Sequence, residues 1–341
     1  MAFLFIAVLL LLVFYAIIIA YYRNSWRAIP DYQPKNMLIP GIKFSVIIPA
    51  RNEEQNIGRL LDSLQAQSYS RELFEIIVVD DHSTDATANI VRQYNDVKLL
   101  QLKEDGINSY KKKAIEKAIA EAQHEWIVCT DADCIAPPDW LLAFSSFITD
   151  HEPVFVAAPV SLIPFKKKNS ILYIFQALDF LTLQGITGAS VYKRRHNMCN
   201  GANLAYKREV FYEVDGFKGI DKIASGDDML LMHKIWKRYP DRIAYIKSKE
   251  AIIETEAAPI WKAFFNQRIR WASKATSYDD KRIFVVLLLV YLFNVSFLVL
   301  AVASFFEIVY FFGLIIFVVL KTIIEVPFVL GVSRFFQSKI L

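Results

Sequence analysis

Phe44-Ser-Val-Ile-Ile-Pro-Ala-Arg-Asn-Glu53 opens as an apolar run short enough for one buried strand and closes on polar and charged side chains. The pattern recurs. Glu75-Ile-Ile-Val-Val-Asp-Asp81 predicts a second strand, Val97 to Leu102 a third, and Trp126-Ile-Val-Cys-Thr-Asp-Ala-Asp133 a fourth that ends in acids. Between them Ile57, Leu60, Leu61 and Leu64 fall at i, i+3, i+4 and i+7, the stripe of an amphipathic helix. Ile90, Val91 and Tyr94, after a Ser83-Thr84 cap signal, and Ala114, Ile115, Ala118 and Ile119 repeat that stripe. Strand and helix alternating in this way predict an α/β domain, its sheet mostly parallel with helices on both faces. Such sheets bind ligands at the carboxyl ends of their strands, which is where the acids lie.

Working outward, Ala2 to Tyr22 and Ile283 to Ala303 carry no charge and match the roughly 20 residues that cross a hydrocarbon layer. Ile308 to Leu320 is a third apolar stretch, followed by Lys321 and Glu325, and reads as a shorter or re-entrant span. The expected organisation is an anchor over 1–22, a Pro-punctuated linker over 23–43 and a catalytic domain over 44–258. An amphipathic interfacial segment over 259–282 follows, then two membrane helices over 283–341 with room for an incomplete third. The first run lacks a basic n-region and exceeds a signal peptide's apolar core, so it reads as an anchor. Arg23, Arg27, Lys281, Arg282, Arg334 and Lys339 flank the spans, which places the middle domain in the cytoplasm and the N-terminus outside. The clusters Lys166 to Lys168 and Lys193 to Arg195 suit anionic headgroups or a solvated face.

At 55% hydrophobic the chain is too apolar for an ordinary soluble enzyme, and the flanks carry that excess. They hold only Lys321, Arg334, Lys339, Glu307 and Glu325 as charges, so the middle is close to neutral. A near-neutral domain lacks the basic face that nucleic acid requires. Neither GxGxxG nor a P-loop is present. Cys129, Cys134 and Cys199 have no CxxC spacing and an odd count, as in a reduced compartment.

Further on, Val154 to Val160 reads as a strand and Ser170 to Gln184 as an apolar helix suited to the membrane interface. Pro259 to Tyr278 mixes Trp261, Phe264, Phe265 and Trp271 with Lys262, Arg268, Arg270 and Lys274. That mixture fits a headgroup-level helix or a core helix with snorkelling edges.

One carboxylate at a strand end is commonly a cap, but acids at two strand ends suggest a shared ligand. Asp131 and Asp133 supply oxygen donors suited to Mg²⁺ or Mn²⁺, leaving positions for substrate phosphates. Zinc would want His or Cys spacing that His82, His124, His151, His196 and His233 do not provide. Gly226-Asp227-Asp228 begins a helix running to about Tyr239, where the acids serve as caps or as a general base. Gln267-Arg-Ile-Arg-Trp271 adds cations for a departing diphosphate and an aromatic plane for a sugar.

Ser45-Val-Ile-Ile-Pro-Ala-Arg-Asn-Glu53, Val79-Asp-Asp-His-Ser-Thr-Asp85, Thr130-Asp-Ala-Asp133, Asn200-Gly-Ala-Asn203, Gly226-Asp-Asp228 and Gln267-Arg-Ile-Arg-Trp271, taken in this order, resemble the membrane-bound family 2 glycosyltransferases of the Rossmann-like GT-A fold. The resemblance spans about Phe44 to Trp271 and implies roles. Ala50, Arg51, Glu53, Asp80 and Asp81 would hold the nucleotide base and ribose, and Asp131 and Asp133 the ribose, metal and diphosphate. Asn200, Gly201 and Asn203 would form a donor loop. Asp228 would be the catalytic base, with Asp227 where the family usually has Glu. Gln267, Arg268, Arg270 and Trp271 match the QxxRW element at the diphosphate and acceptor end. Lys112 and Lys113 lie near the family's Gly-Lys pair, with Lys111 at the Gly position.

The reaction so implied is a single inverting displacement that moves a sugar from a nucleotide-diphosphate sugar, expected to be a UDP-sugar, to a membrane-associated glycolipid or polyprenyl-linked glycan. QxxRW also occurs in processive cellulose, hyaluronan and chitin synthases, which stand as the alternative. A nucleotidyltransferase would share the sheet and the acids but has little use for QxxRW or an anchor. A degenerate scaffold would be expected to lack one of the acids.

Overall fold

The computed structural model describes residues 2–35, 41–164, 170–195, 198–223, 225–272 and 281–337. After α1 (Ala2–Ala28) the chain alternates β1 (Phe44–Ala50), α2 (Ile57–Gln65), β2 (Phe74–Asp80), α3 (Thr87–Val91), β3 (Val97–Gln101), α4 (Tyr110–Glu121) and β4 (Trp126–Cys129). The apolar runs become strands because each is flanked by the stripes that cover it. Ile57, Leu60, Leu61 and Leu64 are all fully buried, each such burial being worth about 1.5 to 3 kcal/mol. Successive residues of β1 point to opposite faces: Val46 and Ile48 join the core under α2, and Ile47 joins the core on the other face with Ala114, Ile115 and Ala118 of α4. A strand buried on both faces reads as a continuous apolar run, the signature of a parallel sheet between helices.

The second half departs from that rhythm. It runs β5 (Cys134–Ile135), α5 (Trp140–His151), β6 (Phe155–Ala157), β7 (Val160–Ile163), α6 (Ile171–Tyr192), β8 (Leu204–Lys207), α7 (Arg208–Glu213), α8 (Met229–Arg238), β9 (Ile243–Tyr245) and β10 (Ile253–Glu256). The main sheet has the order β3-β2-β1-β4-β8-β6-β9, with β8 antiparallel to both β4 and β6. The sheet is therefore mixed, its first four strands parallel. Val154 to Val160, expected as one strand, is split: β6 stays in the main sheet, while β7 pairs with β10 in a second sheet of order β5-β10-β7.

Next come α9 (Trp261–Ala272), α10 (Lys281–Ala303) and α11 (Ile308–Phe336). The interfacial helix expected to reach Tyr278 is described as far as Ala272, so Lys274 and Tyr278 lie outside the described residues, as do Lys166 to Lys168. The first apolar helix runs on to Ala28, because Tyr22, Ser25 and Trp26 are buried against neighbouring elements. The third apolar stretch is no short span. It continues through Lys321, Glu325 and Pro327 to Phe336, since Lys321 pairs with Glu325 one turn on (2.7 Å) and Tyr15 of α1 donates a hydrogen bond to the same carboxylate. Partners of this kind allow charges within an apolar helix.

Among the described residues four helices are long and apolar enough to cross a membrane: Ala2–Ala28, Ile171–Tyr192, Ile283–Ala303 and Ile308–Phe336. α1, α10 and α11 pack together, and α6 packs on α1 and α11. Phe3, Leu10, Phe14, Phe284, Leu298 and Phe306 stand exposed on the bundle.

Candidate active site

Parallel register brings the acidic strand ends to one edge. Ala50 pairs with Asp80 and Ile47 with Cys129, so β1, β2 and β4 terminate side by side. The loops that follow β1 and β2 are stapled together: Asn52 N–H donates to Ser83 Oγ (3.0 Å), Glu53 N–H to Thr87 Oγ1 (2.7 Å), and Thr84 N–H to Asn52 Oδ1 (2.9 Å). Asp80 accepts from the Ser83 N–H (3.2 Å), while buried Asp81 lies 3.6 Å from Arg51 Nη1 and 2.9 Å from His82 Nδ1. Arg51 sits 5.5 Å over the ring of Tyr110, and His82 meets the same ring edge-on. This corner offers a charged and aromatic ledge.

The second group of acids gathers around Lys111, at the start of α4. Lys111 Nζ lies 2.7 Å from Asp131 Oδ1 and 3.1 Å from Asp227 Oδ2, tying the end of β4 to the start of α8. Burial pulls its ammonium down, but Asp131, Asp227 and Asp228 outweigh that and hold it well above the ordinary lysine value. Gly201 packs directly on this pair; a Cβ there would lie 3.1 Å from Asp227 Oδ2 and 3.3 Å from Lys111 Nζ. Its N–H donates to Asp228 Oδ2 (3.2 Å), and the other Asp228 oxygen caps α8 through the Met229 N–H (2.7 Å). Asp228 is thus both a helix cap and a neighbour of the glycine loop.

The lysine next along, Lys112, is 2% exposed and donates to the carbonyls of Ile220 (2.6 Å), Ile223 (2.7 Å) and Ser225 (2.9 Å). These precede Gly226, whose φ of +86° turns the chain into the two acids. A Cβ at Gly226 would meet Leu230 Cδ1 at 2.7 Å.

Asp133 accepts from Thr255 Oγ1 of β10 (3.2 Å), a partner supplied by the small sheet. Burial and the neighbouring Asp131 raise its carboxyl above the usual range; burial, with Asp133 and Asp131 nearby, does the same to Glu53 despite a hydrogen bond from Asn56. Raised carboxyls in proximity mark a place where positive charge is wanted. Among the described residues no group of three or more His, Cys, Asp or Glu is assembled as a metal cage. Asp131 and Asp133 instead fit the mode in which one or two carboxylates hold Mg²⁺ or Mn²⁺ together with substrate phosphates, and the Lys111 ammonium lies against Asp131.

Asn203, expected in a donor loop, is fully buried; its amide donates to the carbonyls of Pro159 and Ala251 (both 2.7 Å) and its oxygen accepts from Trp140 Nε1 (3.0 Å). Asn200 accepts from the Ala202 N–H (3.1 Å) and shapes the turn. On α9, Arg268 pairs with Asp179 of α6 and lies 4.2 Å over Trp271 and 4.8 Å over Phe264. Trp271 packs beside Phe180, Gln267 is half-buried and Arg270 is exposed. The QxxRW element is therefore docked on α6, with Arg268 serving that docking. Asp179, Thr255 and Tyr110 carry no local mark in the sequence, and Lys111 is marked there only by the Lys111 to Lys113 run at a helix start, with nothing to name its carboxylate partners.

Residues 45–215 match the family model described as glycosyl transferase family 2. The probable glycosyltransferase YdaM of Bacillus subtilis (strain 168) is 26% identical over 261 residues, covering 74% of this chain and 59% of that protein. A poly-beta-1,6-N-acetyl-D-glucosamine synthase of Staphylococcus aureus (strain COL) is 26% identical over 256 residues, covering 73% and 58%. The chain thus spans about three fifths of the length of these relatives. Among solved structures, the mannosyltransferase PcManGT from Pyrobaculum calidifontis, in complex with GDP-Man and Mn²⁺, is similar with a TM-score of 0.65 at 21% identity, covering 98% of each chain, and supports the α/β mixed-sheet GT-A-like fold.

Proposed function

This chain belongs to glycosyl transferase family 2, and we propose that it transfers one sugar, with inversion, from a nucleotide-diphosphate sugar to an acceptor held in a membrane. The observation that carries the reading is the convergence of Asp131, Asp227 and Asp228 around Lys111 and Gly201, with Asp133 beside them. Ala50, Arg51, Glu53, Asp80 and Asp81 bind base and ribose. Asn200, Gly201 and Asn203 shape the donor loop. Asp228, held by two backbone N–H groups, takes the acceptor hydroxyl proton as that oxygen attacks the anomeric carbon. The bond to the diphosphate breaks and its electron pair stays on the leaving phosphate oxygen. Asp131 and Asp133 would hold Mg²⁺ or Mn²⁺, which when bound supplies a Lewis acid for the diphosphate. Gln267, Arg270 and Trp271 close the acceptor end, with Arg268 fixing their helix to α6. The basic flanks Arg23 and Arg27 set this domain on the cytoplasmic side.

Similarity to a poly-N-acetylglucosamine synthase favours a second reading, processive synthesis. Membranes from expressing cells, incubated with UDP-, GDP- and dTDP-sugars and Mn²⁺, test both. Release of one nucleoside diphosphate with a singly extended lipid supports the first reading, and a polymer ladder supports the second. Pyrophosphate release, or silence from every donor, refutes both.

A further inference from the structure

We propose that Lys111 is the resident counter-cation of the acid cluster, holding Asp131 until a divalent cation and a diphosphate replace it. The inference rests on the transferase reading above. Asp131 with Asp133, and Asp227 with Asp228, bring carboxylates on two chain segments to one lysine, where mutual repulsion opposes their approach. One ammonium, 2.7 Å from Asp131 and 3.1 Å from Asp227, joins the two segments.

The two adjacent lysines divide the work. Lys112 is buried and committed to three backbone carbonyls, which fix the loop. Lys111 keeps about a third of its side chain exposed (35%) and, among the described residues, is paired with the carboxylates of Asp131 and Asp227, so it can leave. Lysine suits that part, being a compact point charge on a flexible stem with three donors, whereas an arginine fork would hold both carboxylates more rigidly. A dication on the Asp131 carboxylate would be repelled by an ammonium 2.7 Å from Oδ1, so cation binding and Lys111 release are linked, and linkage is reciprocal. Once released, Lys111 has the phosphate oxygens of the nucleotide as its next partner.

The test is Mn²⁺ binding to the solubilised full chain without nucleotide, read by electron paramagnetic resonance. An opposite charge in contact changes a carboxylate's affinity for positive charge by about one to three powers of ten. Lys111→Met and Lys111→Gln are therefore expected to bind Mn²⁺ about tenfold more tightly or better, and Lys111→Arg to remain as weak as the parent. In the parent chain itself, reductive methylation of Lys111, followed by mass spectrometry, is expected to quicken several-fold at saturating Mn²⁺, which covers the case of neutral variants that fail to fold. Equal or weaker Mn²⁺ binding in both neutral variants, or methylation unchanged by Mn²⁺, overturns the role of Lys111 alone. Full transferase activity in chelator, with no Mn²⁺ bound by any form, overturns the metal reading along with it.

Discussion

Lys112→Met probes how the acid loop is held. The parent ammonium donates at 2.6, 2.7 and 2.9 Å to the carbonyls of Ile220, Ile223 and Ser225. Hydrogen bonds to a charged group are worth about 1.5 to 3 kcal/mol each, so three amount to about 5 to 9 kcal/mol at most. The net loss is smaller. Ile220, Ile223 and Ser225 are half-buried rather than sealed, and methionine does not have to desolvate a charge. A cost of about 2 to 4 kcal/mol is expected, concentrated in a loop that leads into Gly226, Asp227 and Asp228. A misplacement of about 1 Å at reacting groups costs on the order of 100-fold in rate. Turnover followed by nucleoside diphosphate release is therefore expected to fall about 100-fold. Nucleotide affinity, which the proposed function assigns to the Arg51 and Asp81 corner, is expected to hold, and Lys112→Arg to recover part of the loss. Unchanged turnover, or equal loss of turnover and nucleotide affinity, refutes the reasoning.

Asp228→Asn keeps a good helix cap, since Asn caps as well as Asp, so the fold is expected to melt normally and to bind nucleotide while transfer is lost; retained transfer removes Asp228 as the base. Gly226→Ala places a side chain at φ +86° and 2.7 Å from Leu230, and is expected to lower stability by at least about 1 kcal/mol in thermal melts; an unchanged melting temperature contradicts that geometry. The Asp150 carboxyl, through its hydrogen bond from Lys35, and Glu121, through Lys98, are held below their ordinary values of 3.8 and 4.5. At Asp96 burial works upward but is outweighed by Arg71 and Gln65, so it too lies below 3.8. A depressed carboxyl contributes stability that is present above its unfolded value and lost as pH falls through its folded one. Melting temperature is expected to drop below about pH 4, less steeply in high salt because these pairs are exposed; a rise toward pH 3 contradicts the sign. Glu53 and Asp133, raised instead, add stability that is lost as pH rises through their folded values, so bound Mn²⁺ is expected to raise the melting temperature more at pH 8 than at pH 5.

Local periodicity decided the first half of the domain. Ile57, Leu60, Leu61 and Leu64 read as a helical stripe, and the runs from Phe44, Glu75 and Trp126 as short buried strands, because those patterns depend on near neighbours, and both form as read. The same local reading placed Asp80, Asp81, Asp131 and Asp133 at strand ends. What it could not set was anything made by pairing distant segments. The antiparallel β8 between β4 and β6, the small sheet that brings Thr255 to Asp133, and the continuation of α11 past Lys321, where Tyr15 meets Glu325, are each closed by residues far apart along the chain. So is the contact at the centre: Lys111, Asp131, Gly201 and Asp227 come together only when α4, β4, the glycine loop and the start of α8 converge. Residue types and strand ends are one-dimensional information, whereas which carboxylate an ammonium neutralises is settled by distances of about 3 Å that exist only in the folded chain.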